Sequence, residues 1–543
     1  MRLRNDRLLI SLTLSLLAQQ ATPLAARQAN AAAAASVDPP SFAQPMPLYR
    51  VGLGVYERKI TTRSAEAQAY FTQGMQLLFS FTPEDAARSF REAQKRDPQC
   101  ALCFWGEALA WGPYLNGDMA RDDAPRAFSA IRKARALKPA SDVERALIDA
   151  MALRYEPTHD PGRRERLDSA YAGAMADVYR AWPADLDAGT LYAEALMLIE
   201  PRRGNWDVAK PSVQMIHTVL EDVLRRDITH PGACHLFIHA TESTAVPGKA
   251  EACADHLGHA IPGASHINHM PSHTYNRVGR WGDAVRANLD AWHSDQKAEI
   301  GEGFAIYPSH NLHMLLFSAS FDGQGAVAIQ AAKDYAKLVR GGSFYTALAL
   351  LRFGRFDEIV RMQDAPTGNA VHRGLWDFAQ GYAHLRLGHA ESARTYLARV
   401  DDAARAAGDS VQFRGHSARD LLGITGGILR AELLRGDGRI EDAIRTLEEC
   451  VRIEDALRYD EPEPLNFSAR HWLGALLLEA GRPLDAERVY RAELEDHPTN
   501  GWSLLGLEQA LRAQARGPDA EAAHAAFRTA WARADTWIRS SRF

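Results

Sequence analysis

Residues 66–98 read EAQAYFTQGMQLLFSFTPEDAARSFREAQKRDP, and this stretch decides the fold. Gly74 and Ala86 are small where two antiparallel helices would approach closely. Phe90 has the bulk to fill the space between them, and Pro98 stops the second helix. Tyr70, Leu77 and Ala93 complete an apolar set at helical spacing. The spacing predicts a helix–turn–helix hairpin. One hairpin cannot bury its own apolar face, so further copies must stack on it.

Further copies follow, in a register of about 34 residues. Tyr275, Gly279, Ala284 and Ala291 form one, and Ala347, Leu350 and Gly354 a weaker one. Gly381 and Gly388 mark another. Ala431, Leu434, Gly438, Ala443 and Leu447 follow, then Gly474, Leu477, Gly481, Ala486, Tyr490 and Pro498. Trp502, Leu505 and Gly506 open the last, which Ala523, Phe527 and Ala530 close. Gly-Arg recurs at the turns, as Gly279-Arg280, Gly354-Arg355, Gly438-Arg439 and Gly481-Arg482. This is the tetratricopeptide (TPR) pattern. It predicts an all-α, TPR-like α-solenoid, a right-handed superhelix of antiparallel helix pairs. The expected division is a lead-in over 1–35, an N-terminal TPR-like unit over 36–120, and irregular helical pairs over 121–264. His-rich central units then span 265–335 and a C-terminal array spans 336–543. Pro157, Pro161, Pro183, Pro201 and Pro211 punctuate the irregular part, with longer loops expected around 156–164 and 200–211.

A length of 543 residues fits a long repeat array as well as three or four separate units. With 63 basic and 68 acidic residues the net charge is −5, which argues against a nucleic-acid binder. A hydrophobic content of 46% with 24% charged residues excludes whole-chain disorder. Five Cys exclude a disulfide scaffold. At the N-terminus, Arg2, Arg4 and Arg7 precede the short apolar run Leu8–Leu17, and small residues follow from Ala21. That order predicts a signal peptide and a periplasmic or secreted product, with Ala31–Pro40 as flexible lead-in. No later apolar run is long enough to predict a membrane span.

Histidine is distributed very unevenly. Eleven of the 20 His lie between His230 and His313. HPGACHLFIHATE holds His230, His235, His239 and Glu242; HINHMPSH holds His266, His269 and His273; PSHNLH holds His310 and His313. His235 and His239, four apart, share a helix face, and Glu242 follows three later on that face. His269 and His273 repeat the four-residue spacing, and His310 and His313 are three apart. Neutral imidazole suits Zn, Cu, Fe or Ni. A pair supplies only two ligands, so neighbouring helices must bring the rest. The ligand pool is His235, His239, His269, His273, His310 and His313, three or four of them binding at once. Pro231, Pro271 and Pro308 each favour a helix start, whose free N–H groups would attract a small anionic ligand. Pro271 either starts a helix, leaving His266 and His269 in a loop, or kinks a continuous one. The same histidines also fit a metal-free polar pocket. His256, His259 and His293 read as ordinary surface or packing residues.

Cys100 and Cys103 form a CxxC, but Phe104 stands where covalent haem needs His, so haem is excluded. Packing is the main expectation for this pair, with a local disulfide or metal capture as alternatives. Cys234 points about 100° away from His235 along a helix, and Cys253 and Cys450 read as core. Trp105, Trp111 and Tyr114 read as packing between repeats. No phosphate-binding or dinucleotide loop, serine elbow or H-E-x-x-H occurs, so no nucleotide cofactor is expected.

The stretches DPQCALCFWGEAL, HPGACHLFIHA, HMPSHTYNRVGRW and SHNLH resemble those of a family of exported bacterial tetratricopeptide proteins of unassigned activity. The resemblance spans about residues 65–315. It implies the repeat fold and that the three His stretches belong together. The family's Asn-His before the second helix of the first unit is replaced here by Thr82-Pro83. Two functions follow as expectations. One is a His-rich metal pocket, holding Zn, Cu or Fe, in which Glu242 or a spare His acts as general base on water. The other is a metal-free scaffold binding a peptide or protein partner in the solenoid groove.

Overall fold

The computed structural model describes residues 38–543 except 140, 201–205 and 408–410. The expected signal peptide lies outside the described residues. Two units are distinguished, Met1–Ala43 and Gln44–Phe543. Of the first, only residues 38–43 are described, and they include the short 3₁₀ turn Pro40–Ala43.

Gln44–Phe543 is a tetratricopeptide-type α-solenoid of successive antiparallel helix pairs. Its β structure among the described residues is one hairpin, Gln412–Phe413 with His416–Ser417. The opening register folds as expected, as helices Ala65–Phe79 and Pro83–Arg96. Phe90 packs between Gly74 of its own pair and Gly106 of the next, helix Ala101–Ala110. A Cβ on either glycine would come within 2.6 Å of the Phe90 ring. Tyr490 repeats this between Gly474 and Gly506, where a Cβ would lie 2.4 and 2.1 Å from its ring. The wedge of an aromatic ring between two glycines fixes how consecutive pairs stack.

The recurrent Gly-Arg is local turn chemistry. Gly279, Gly354, Gly438 and Gly481 all have positive φ. The N–H groups of Arg280, Arg355, Arg439 and Arg482 then reach back to the carbonyls of Tyr275, Leu350, Leu434 and Leu477. This is the Schellman closure, and it satisfies carbonyls that the helix end leaves open. Each arginine also pairs with an acid three residues on, Asp283, Glu358, Asp442 or Asp485. The last pair keeps the closure, Arg516 N–H to Leu511 O, but places Ala515 at φ +58.

The described residues between 121 and 264 are largely helical, with Pro161 opening helix Pro161–Ala181 and Pro211 opening Pro211–Arg226. The C-terminal array folds back on helix Pro308–Asp322. Trp502 donates its indole N–H to Ser320 O at 3.0 Å, Trp281 to Pro498 O at 2.8 Å, and Arg533 pairs with Asp322. The last residues lie along first helices of successive pairs. Phe543 packs on Trp472 and Trp502, its main-chain oxygen accepts from Tyr382 and Arg386, and Arg542 pairs with Glu432. The last residues therefore cover these first helices of the array.

Cys100 and Cys103 are disulfide-bonded at the start of helix Ala101–Ala110, so the alternative reading of this pair applies rather than packing alone. Cys234, Cys253 and Cys450 are buried thiols. Trp105 and Trp111 are buried as expected. No helix among the described residues is long and apolar enough to cross a membrane.

An L residue at positive φ is strained. Ala515→Gly is expected to stabilise the last hairpin by about 0.5–1 kcal/mol, after the extra chain entropy of glycine is subtracted. Urea unfolding checks this; an unchanged or lower midpoint would contradict the turn assignment.

Candidate metal centre

Helix Pro231–Glu242 is buried along its whole length. Its N-cap is His230, whose Nδ1 accepts from Ala233 N–H at 3.1 Å while Nε2 meets Asp187 at 3.2 Å. His230 is thereby committed to capping. His235, His239 and Glu242 follow on one face. The second histidine stretch is a kinked helical path. Met270 keeps helical angles between Ser265–His269 and Pro271–Val278, and Pro271 lacks the N–H that would continue the ladder. Of the two readings of Pro271, the kink holds, and it carries His266, His269 and His273 along one side. Helix Pro308–Asp322 brings His310. Its approach is fixed by Ser265, whose N–H donates to Phe304 O at 3.0 Å and whose Oγ accepts from Ile306 N–H at 2.8 Å.

These elements place two groups of imidazoles together. His235, His239 and His266 offer nitrogens within 4.8 Å of one another, and so do His269, His273 and His310. Nε2 of His235 lies 3.1 Å from Nε2 of His266, and Nε2 of His269 lies 2.7 Å from Nε2 of His273. Two imidazole nitrogens on one Zn-like ion, at bonds of ~2.0–2.1 Å, stand roughly 2.8–3.4 Å apart, depending on the angle.

The other ring nitrogens are tied down. His235 Nδ1–H donates to Phe79 O at 2.6 Å. His269 Nδ1–H donates to Asn288 Oδ1 at 2.6 Å, and the Asn288 amide is oriented by its own donation to Ala284 O. Glu242 takes Nδ1 of His239 at 2.9 Å on one oxygen and Nδ1 of His273 at 2.5 Å on the other. An acceptor behind the ring in this way fixes its orientation and turns Nε2 toward the array.

Burial, reinforced by neighbouring imidazoles, holds His266, His269 and His310 well below the usual histidine range, so they are neutral at pH 7. Burial also disfavours charge on His273, but the Glu242 carboxylate, helped by Glu461, overrides it and raises this imidazole to about 10. The metal-free array thus carries one proton at His273, which lets Nε2–H donate to His269.

Glu461 lies 3.3 Å from His273 Nδ1. It comes from the loop after helix Ile440–Asp455, delivered by the fold-back of the C-terminal array. Together with His239, His266, His273 and His310 it lines a cleft of about 1240 Å³. Asp118 and Glu165 make other parts of the wall acidic, while Glu200 there is paired with Lys210 and Arg164 is engaged by Asp168 and Arg154 O. Tyr114 and Tyr307 also line it, joined through their hydroxyls at 3.2 Å, so Tyr114 does more than pack repeats. Phe81, at φ +59, stacks on His239 and His266 and covers His235.

Of the six residues in the expected ligand pool, His235, His239, His269, His273 and His310 meet in this array. His313 does not; its ring packs at a tilt against Tyr345, with centroids 4.4 Å apart. His266 takes the place that spacing assigned to His313. His256, His259 and His293 are exposed. Glu461 carried no local signal beyond the Glu-Pro-Glu-Pro run that interrupts the repeat register.

No family profile and no curated protein matches the chain. Among solved structures, it is similar to the P58(IPK) TPR domain, at 14% identity over 86% of this chain and 93% of that one, with a TM-score of 0.20. It is similar to Cut9 in the APC/C hetero-tetramer Cut9-Hcn1 at 12% identity, 86% and 73% coverage, and a TM-score of 0.28. The human IFIT1 dimer with m7Gppp-AAAA is 11% identical, with 87% and 91% coverage and a TM-score of 0.30. Likeness at this level carries no functional meaning, and the fold stands on the helix pairs described above.

Any cation that binds Nε2 of both His269 and His273 must expel the His273 proton. Zinc uptake at pH 7 is expected to release about one proton from this ring, and affinity is expected to rise as pH approaches 10. Calorimetry in buffers of different ionisation enthalpy measures the release; pH-independent uptake would contradict the assigned proton.

Proposed function

We propose that this chain is an exported tetratricopeptide protein whose buried imidazole array binds a transition metal, Zn, Cu or Fe, and acts on a small anionic substrate entering by the cleft. One observation carries the metal reading. The Nε2 atoms of His269 and His273 face each other at 2.7 Å while their Nδ1 atoms are committed to Asn288 and Glu242. The His273 proton fills this contact at neutral pH, and once it is displaced both lone pairs are directed at one point, where a metal ion can be held.

A bound ion would supply Lewis-acid activation if Zn, or redox chemistry if Cu or Fe. The chain's own part is to orient the rings and to keep His266, His269 and His310 neutral. Glu242, with both oxygens on imidazoles, is in this reading a positioning residue. Glu461, which reaches the cleft, is the carboxylate better placed to move a proton. The first turn of helix Pro308–Asp322 presents Ser309 and His310 to the cleft, and its N-terminal polarity favours an anion there. The acidic walls oppose this, so an anion would be held at the metal end. Export is supported by the N-terminal pattern of residues 1–35 and by the Cys100–Cys103 disulfide, which suits an oxidising compartment.

Tetratricopeptide folds commonly bind peptides or proteins in their groove. In this chain residues up to Phe543 pack along the first helices of the C-terminal array, so those helices are already covered there, which weighs against the scaffold reading. Elemental analysis of protein purified without a His-tag is expected to find at least about one equivalent of metal, lost in a His239→Ala His273→Ala variant. Metal-free protein that takes up neither Zn nor Cu on addition would overturn the proposal.

A further inference from the structure

We infer that the array is a two-ion centre, with His235, His239 and His266 on one ion and His269, His273 and His310 on the other. This rests on the metal reading above and goes beyond it in stoichiometry and ligand division. Each triad brings its ligand nitrogens within 4.8 Å of one another, and Glu242 and Glu461 form a further group that shares His273 with the second triad. The shortest nitrogen pairs fall within the triads, His235–His266 at 3.1 Å and His269–His273 at 2.7 Å.

One ion in either triad would leave the other held by a single imidazole–imidazole contact, His235–His266 or His269–His273.

The triads are joined rather than independent. His266 and His269, three residues apart on one helical segment, belong to different triads, with ring centroids 5.9 Å apart. His239 and His273 are also 5.9 Å apart, and Glu242 touches both, hydrogen-bonding His239 through one carboxylate oxygen and pairing with His273 through the other. Both triads reach the same cleft, the first through His239 and His266, the second through His273 and His310. An all-imidazole donor set selects late first-row divalent ions over Mg or Ca. A ligand with two oxygen donors, a carboxylate or a phosphoryl group, is the class that could reach both ions from the cleft.

The test is a metal count. Full-length protein is stripped with chelator, loaded with Zn(II), freed of excess by gel filtration and assayed for zinc per chain. About two equivalents are expected, with about one retained in His235→Ala His266→Ala and about one in His269→Ala His310→Ala. One equivalent in the parent, abolished by either double substitution, would overturn the two-ion division and leave the metal reading standing. No retained zinc or copper would sink both. Should a double variant fail to fold by circular dichroism, Cu(II) loading of the parent decides. Two neighbouring ions couple, so the integrated paramagnetic signal falls well short of total copper at full loading. A signal equal to total copper overturns the inference.

Discussion

The Glu242 carboxylate is buried between two imidazoles, and the rest of the centre follows from that contact. A charge taken this far from water must be met on both oxygens, since breaking such a buried pair typically costs about 3–5 kcal/mol. His239 and His273 meet it through Nδ1, which fixes both rings and sends both Nε2 atoms to the far side. His269, held by Asn288, then has its own Nε2 aimed at that of His273. Dry surroundings keep His266, His269 and His310 neutral, the form in which imidazole binds metal.

The repeat fold supplies the rigidity this needs. Phe90 and Tyr490, each wedged between two glycines, set the spacing of helix pairs at the two ends of the array. The Schellman turns at Gly279, Gly354, Gly438 and Gly481 reverse the chain each time with the same geometry. A plain stack of pairs would set residues 230–313 beside the start of the C-terminal array but not beside Glu461 or Trp502. The fold-back sealed by Trp281, Trp502 and Arg533 closes that distance and sets Glu461 beside His273.

Sequence carried the hairpins well because their determinants are local: a small residue, an aromatic, a turn glycine. It also carried five of the histidines, since four-residue spacing on a helix is a local property. It failed where geometry turned on one bend or on distant contacts. His310 and His313 have the spacing of a ligand pair, yet His313 turns to the Tyr345 side of its helix. His266 joined the array only because Pro271 kinks the helix instead of starting a new one. Glu461 lies nearly 150 residues beyond His313 and reaches the site through tertiary folding alone. The closure of the Cys100–Cys103 bond likewise rested on more than spacing.

The most direct test of the account is anomalous diffraction from crystals of the untagged, zinc-loaded protein, recorded at the zinc edge. The account requires anomalous density between the Nε2 atoms of His269 and His273 and bordered by the cleft. Imidazoles linked there only to one another or to solvent, with the anomalous signal elsewhere on the surface, would contradict it.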